Sequence, residues 1–110
     1  MSRADGVLRV VLTGKWFDMI ESGEKLEEYR GKHWAKRLLE AGDYFCFSIG
    51  LPLFPERTSK MYHTLVASRG YTSRTLTRKI TRIRWGAPRP EWSGDTVTGE
   101  CFIIELEAPE

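Results

Sequence analysis

Short apolar runs, divided by glycine, proline and charge, set the layout of this chain of 110 residues. Val7–Leu12 (VLRVVL) is rich in β-branched residues and apolar on both parities, which predicts a strand covered on both faces and so central in its sheet. Thr13 is an N-cap candidate for a helix over residues 15–22. There Trp16, Phe17 and Ile20 recur at helical spacing, and Gly23 supplies the stop. Residues 25–30 (KLEEYR) suit helix by propensity and extended chain by alternation, so both readings stay open. A second helix over residues 33–41 is expected to bury Trp34 and Leu38 and to stop at Gly42.

Residues 44–49 read as a strand, followed by a glycine- and proline-broken loop over residues 50–55. The apolar side chains of that loop, Leu51, Leu53 and Phe54, either cover the core or meet a protein partner. Strands are predicted over residues 62–68 and 75–85, with a turn at 70–73 between them. The longer one carries a parity conflict, because Leu76 and Ile80 share one face whereas Ile83 and Trp85 share the other. A β-bulge between Ile80 and Ile83 resolves it. Pro88 and Pro90 end this strand, and a last one over residues 101–107 places Phe102, Ile104 and Leu106 on one face. No repeat or linker divides the chain, so residues 1–110 are expected to form one domain. Its fold class is α+β, a small mixed β-barrel with two or three short helices packed at its ends.

Composition narrows the class. Apolar residues at 41% and charged residues at 29% exclude a wholly disordered chain. The longest uncharged run, residues 44–55, is too short to cross a bilayer, so no membrane association is expected. No secretory signal is read at the start, and Cys46 and Cys101 lack any paired spacing. Both features point to free thiols in the cytoplasm, with one Cys46–Cys101 disulfide as the open alternative. The net charge of +2 conceals a segregation. Residues 57–90 hold Arg57, Lys60, Arg69, Arg74, Arg78, Lys79, Arg82, Arg84 and Arg89 and no acid, while residues 91–110 are acidic without a base. Such a stretch attracts polyanions, nucleic acid first among them, unless the acidic tail folds back beside it and neutralises it.

Gly23-Glu24-Lys25-Leu26-Glu27-Glu28-Tyr29-Arg30 fits G-x-K-x-x-E-x-R directly after the first strand and helix. With Lys15-Trp16-Phe17 before it, His33-Trp34 after it, and Arg69-Gly70-Tyr71 and Pro90-Glu91-Trp92 further on, the chain resembles the ASCH domain family of the PUA-like superfamily. The likeness is to its small single-domain members, many of them carried by phages. The resemblance implies a PUA-like barrel with a cleft that gathers the motif residues. It also implies RNA or nucleotide binding, with ribonuclease activity or N4-acetylcytidine amide hydrolysis in some branches. In the amidohydrolase branch the resemblance implies a lysine at the place of Lys25 and a threonine nucleophile at the place of Glu28. Glu28 has no hydroxyl to activate, which counts against that chemistry here.

Read as chemistry, Arg30 offers a fork to phosphate, Lys25 a mobile point charge, and Glu28 an acceptor for an exocyclic amine or a general base. The rival reading is a Lys25–Glu28–Arg30 network that satisfies only itself. If the three bind ligand, Arg30→Ala and Lys25→Ala weaken binding and leave the melting temperature nearly unchanged. Arg69, Tyr71, Arg74 and Arg78 are expected to supply flanking stacking and phosphate contacts, with Arg78 pointing inward. Of the other aromatics, Tyr29 and Trp92 are further platform candidates, while Trp16, Phe17, Trp34 and Trp85 are assigned to the core. His33 and His63 are candidate acid–base groups for a ribonuclease. Those histidines and the cysteines lack metal-ligand spacing, and neither a metal nor a cofactor is expected.

Overall fold

The first strand, β1 (Val7–Leu12), alternates in burial: Leu8, Val10 and Leu12 are inside, Arg9 and Val11 outside. It is an edge, not the centre expected from its apolar letters. In the computed structural model, which describes residues 6–50, 62–94 and 99–109, β1 joins β2 (Glu27–Arg30), β3 (Thr64–Arg69), β4 (Thr75–Gly86) and β5 (Cys101–Leu106) in one curled sheet of order β1-β3-β4-β5-β2. Strand β1 pairs in parallel with β3 (Thr64–Arg69), and the pairs β3–β4, β4–β5 and β5–β2 are antiparallel. The long strand β4 (Thr75–Gly86) belongs to both halves. Its first part pairs with β3 and its second with β5 (Cys101–Leu106). The register slips between Ile80 and Arg82, at the bulge that the parity conflict demands, and the sheet bends there into a half-barrel.

The ambiguous segment after Gly23 is extended: β2 (Glu27–Arg30) pairs with β5 and forms the other edge. Helix α1 (Gly14–Ser22) precedes it and buries Phe17 and Ile20. Gly23, at φ 88°, ends the helix by donating its N–H to the Ile20 carbonyl, in a left-handed conformation that glycine adopts without a Cβ penalty. The second expected helix is instead broken. A 3₁₀ turn (Lys32–Trp34) runs into α2 (Ala35–Leu38), Leu39 turns extended, and α3 (Ala41–Ser48) begins, so that Gly42 lies inside a helix rather than at a stop. The strand expected over residues 44–49 is thus largely helical. Buried Asp43, in the first turn of α3, suits the positive end of the helix dipole. A one-turn helix, α4 (Pro90–Ser93), starts on Pro90 in the first turn, where proline costs no hydrogen bond. The helices thus exceed the two or three expected.

Leu8, Leu12, Phe17, Ile20, Leu38, Leu65, Phe102 and Ile104 pack the hollow of the curled sheet, with Phe47 and Trp85 against them. The outer face of β5 is buried too: Cys101 and Ile103 pack with Tyr29 and Trp92. Leu51, Leu53 and Phe54, proposed as an apolar contact, lie outside the described residues, as do Arg57 and Lys60. Among the described residues no helix is long and apolar enough to cross a membrane, and Cys46 and Cys101 are free thiols. Apolar surroundings push the Cys101 thiol up to about 11, which keeps it protonated and unreactive near neutral pH.

Candidate functional site

Among the described residues the half-barrel leaves two edges unpaired, and the side chains between them make the site. The outward carbonyls of β1 are taken by arginines from the other side of the gap. Arg30 donates to the Val11 carbonyl at 3.3 Å, and Arg37 to the Arg9 carbonyl at 3.2 Å. Both guanidinium groups also lie against the Trp34 ring, at 4.7 and 4.3 Å from its centroid. This clasp of two arginines and one indole holds the edges together where a strand pair would close a full barrel.

The G-x-K-x-x-E-x-R residues converge here. Glu28 accepts from Lys25 Nζ at 3.0 Å through one oxygen and pairs with Arg30 at 3.0 Å through the other. Their access differs sharply. Lys25 is 2% exposed and Glu28 5%, while the Arg30 side chain keeps 19%. Extended chain puts Glu28 and Arg30 on one face of β2, and the turn after Gly23 swings Lys25 back onto that face, although not as a mobile charge. Its ammonium is sealed between Glu28 and the Trp16 ring, 4.5 Å from that ring's centroid. Burial pulls its pKa down, and the Glu28 charge opposes that shift. The self-satisfying network is therefore real for Lys25, whereas Glu28 and Arg30 also reach an open cleft. Arg30 Nε is buried without an acceptor among the described residues, which leaves a donor unused.

That cleft, of about 270 Å³, runs between the end of β1 and the start of the 3₁₀ turn. Trp16 and Trp34 line it together with Glu28, Tyr29, Arg30 and His33. Both indoles were assigned to the core by their spacing. Each is only half-buried and carries two cations against its ring, and Trp34 also packs against the core. Phe17 alone of that helix's aromatics is fully inside. No pattern in the letters separates a half-buried indole at helical spacing from a buried one, so sequence reasoning missed these two walls. Tyr29 has its hydroxyl on the opposite side of the sheet, where it donates to Glu27 at 2.6 Å and accepts from the Arg89 N–H at 3.1 Å. Burial, with the Glu27 carboxylate, raises its pKa and keeps the hydroxyl protonated.

The flanking candidates fall elsewhere. Arg69 makes two hydrogen bonds to Asp18, both at 3.1 Å, holding the Asp18 carboxyl below the usual range. Arg74 pairs with Glu21. Arg78 points inward as expected, but onto the Ile20 and Glu21 carbonyls at the end of α1, where a cation complements the helix dipole. Tyr71, in the β3–β4 turn, is 97% exposed. The three arginines gather around α1, and none of the four lines the cleft. The acidic tail also folds back: Glu105 on β5 bonds both Arg82 and Arg84, and Glu27 pairs with Arg84. Much of the expected positive field is neutralised this way.

Of the two histidines, His33 lines the cleft, while His63 bonds Thr64 Oγ1 at 2.7 Å beside β3. A histidine acid–base pair is not assembled at the cleft. Among the described residues no group of three or more His, Cys, Asp or Glu is placed to hold a metal ion. Trp92 packs on the outer face of β5 beneath Arg89, and Trp85 packs edge-on against Phe47 and Phe102. No family model, curated protein or solved structure matches the chain.

Proposed function

We propose that this chain is a small ASCH-type, PUA-like half-barrel that binds RNA or a nucleotide by taking one base into the cleft between its two sheet edges. The reading rests on one observation: a carboxylate and an arginine, fixed by a buried lysine, open between two half-buried indoles. A nucleobase matches that chemistry. Its faces stack on the exposed parts of Trp16 and Trp34, its exocyclic amine donates to the remaining lone pairs of Glu28, and the part-exposed Arg30 guanidinium faces its acceptors. The cleft's volume falls just below the range usual for small-molecule sites, which suits one base rather than an extended ligand. Lys25 serves here as a positioning residue, because it orients Glu28 from behind and does not meet solvent.

Fluorescence tests this directly, since stacking quenches an indole. Titrating the protein with single nucleosides and with short single-stranded RNA is expected to quench tryptophan emission. Trp16→Phe and Trp34→Phe should each remove part of that signal, and Trp16→Ala should weaken binding about 5- to 150-fold, the range for one lost base stack. Trp92→Phe, on the far face of β5, should leave quenching and affinity intact. Quenching that survives in both cleft variants and vanishes in Trp92→Phe would overturn the reading.

A further inference from the structure

The cations of residues 69–84 are largely matched by acids or helix carbonyls, but another cationic face is not. The 3₁₀ turn and α2 present Lys32, His33, Lys36 and Arg37, all exposed. Among the described residues no carboxylate forms an ion pair with any of the four. Arg37 is occupied by the Arg9 carbonyl and the Trp34 ring. Lys32 and Lys36, four residues apart on consecutive turns, keep solvated ammonium groups. Beside them lies a second hollow of about 640 Å³, lined by His33, Lys36, Arg37, Glu40 and Tyr44. His33 also lines the aromatic cleft, so the two hollows share a wall.

We infer that the ligand is a single-stranded polynucleotide rather than a free nucleoside, its backbone running from the cleft across His33 and the Lys32–Lys36 face into the second hollow. The inference rests on the base-in-cleft reading and extends it. A cleft of base size leaves sugar and phosphates outside, and the adjoining surface is where unmatched ammonium groups lie. Tyr44, 37% exposed at the far end, offers a ring face for a neighbouring base. Phosphate contacts of this kind carry affinity through counterion release and leave a signature in salt dependence.

The experiment compares binding of a labelled short single-stranded oligoribonucleotide with binding of free nucleosides across a salt series. In Lys32→Gln/Lys36→Gln, with an unchanged melting temperature confirming the fold, the slope of log affinity against log salt is expected to fall by about 1.4. Affinity for the oligonucleotide should drop about 25-fold at 0.1 M salt, taking about 0.7 in slope per lost phosphate contact on a single strand. Nucleoside binding should stay unchanged. An unchanged slope overturns the inference, as does a loss that follows Arg69→Gln/Arg74→Gln instead. Nucleosides that bind as tightly as the oligonucleotide overturn this inference alone. A protein that binds neither overturns the cleft reading with it.

Discussion

Lys25 carries most of the tension between stability and binding. A buried ammonium is tolerable only beside its carboxylate, and Glu28 in turn holds two cations at 3.0 Å. Removing one partner from a buried pair leaves an uncompensated charge and costs about 3–5 kcal/mol. Lys25→Ala is therefore expected to destabilise the fold by that order in urea unfolding, not to leave the melting temperature unchanged as a purely ligand-facing lysine would. A Lys25→Ala protein as stable as the parent would show that the ammonium is not sealed. The G-x-K-x-x-E-x-R spacing was enough to bring these three residues into one group. Which of them faces the cleft was not legible, because that depends on how the turn after Gly23 carries the lysine against Trp16.

At the level of elements, the bulge in β4 was readable because Leu76 and Ile80 conflict in parity with Ile83, and only a register slip lets all three be buried. The edge position of β1 was not, since VLRVVL reads alike in a central strand and in an edge whose carbonyls are capped by arginines from elsewhere. Residues 44–49 misled in the other direction: Tyr44, Phe45 and Phe47 favour a strand by propensity, yet lie in α3, which packs Phe47 on Trp85 and Phe102. Pairing of β4 with β5 also sets a pH dependence. Hydrogen bonds from Arg82 first, and Arg84 second, hold the Glu105 carboxyl below its ordinary value of 4.5. The folded state thus keeps Glu105 ionised at pH values where the unfolded chain is already protonated. Its contribution is complete above about pH 4.5 and is lost as pH falls through the lowered folded value. Stability measured by urea unfolding from pH 5 downward should fall less steeply in Glu105→Gln than in the parent. Parallel profiles would mean that the carboxylate is not held by the two arginines.

For the molecule as a whole, the basic stretch of residues 57–90 looked like an open field because its acids lie far away in sequence. Asp18 and Glu21 come from α1, Glu27 from β2 and Glu105 from β5, and folding brings them to Arg69, Arg74, Arg84 and Arg82. What stays open is smaller: two sheet edges tied by an Arg–Trp–Arg clasp, an aromatic cleft between them, and the cationic face of the 3₁₀ turn and α2 beside it. A half-barrel held this way exposes ligand-sized space while arginines cap the carbonyls of Arg9 and Val11 on the β1 edge. The proton–nitrogen correlation spectrum of the protein during titration with a short single-stranded RNA reads that arrangement directly, through one indole N–H signal per tryptophan and one amide signal per residue. The indoles of Trp16 and Trp34 and the amides of Gly31 and Lys36 are expected to shift together and saturate at one affinity, while those of Trp92 and Tyr71 stay in place. Shifts confined to the β3–β4 turn around Tyr71, with the two cleft indoles unmoved as the RNA binds, would contradict it.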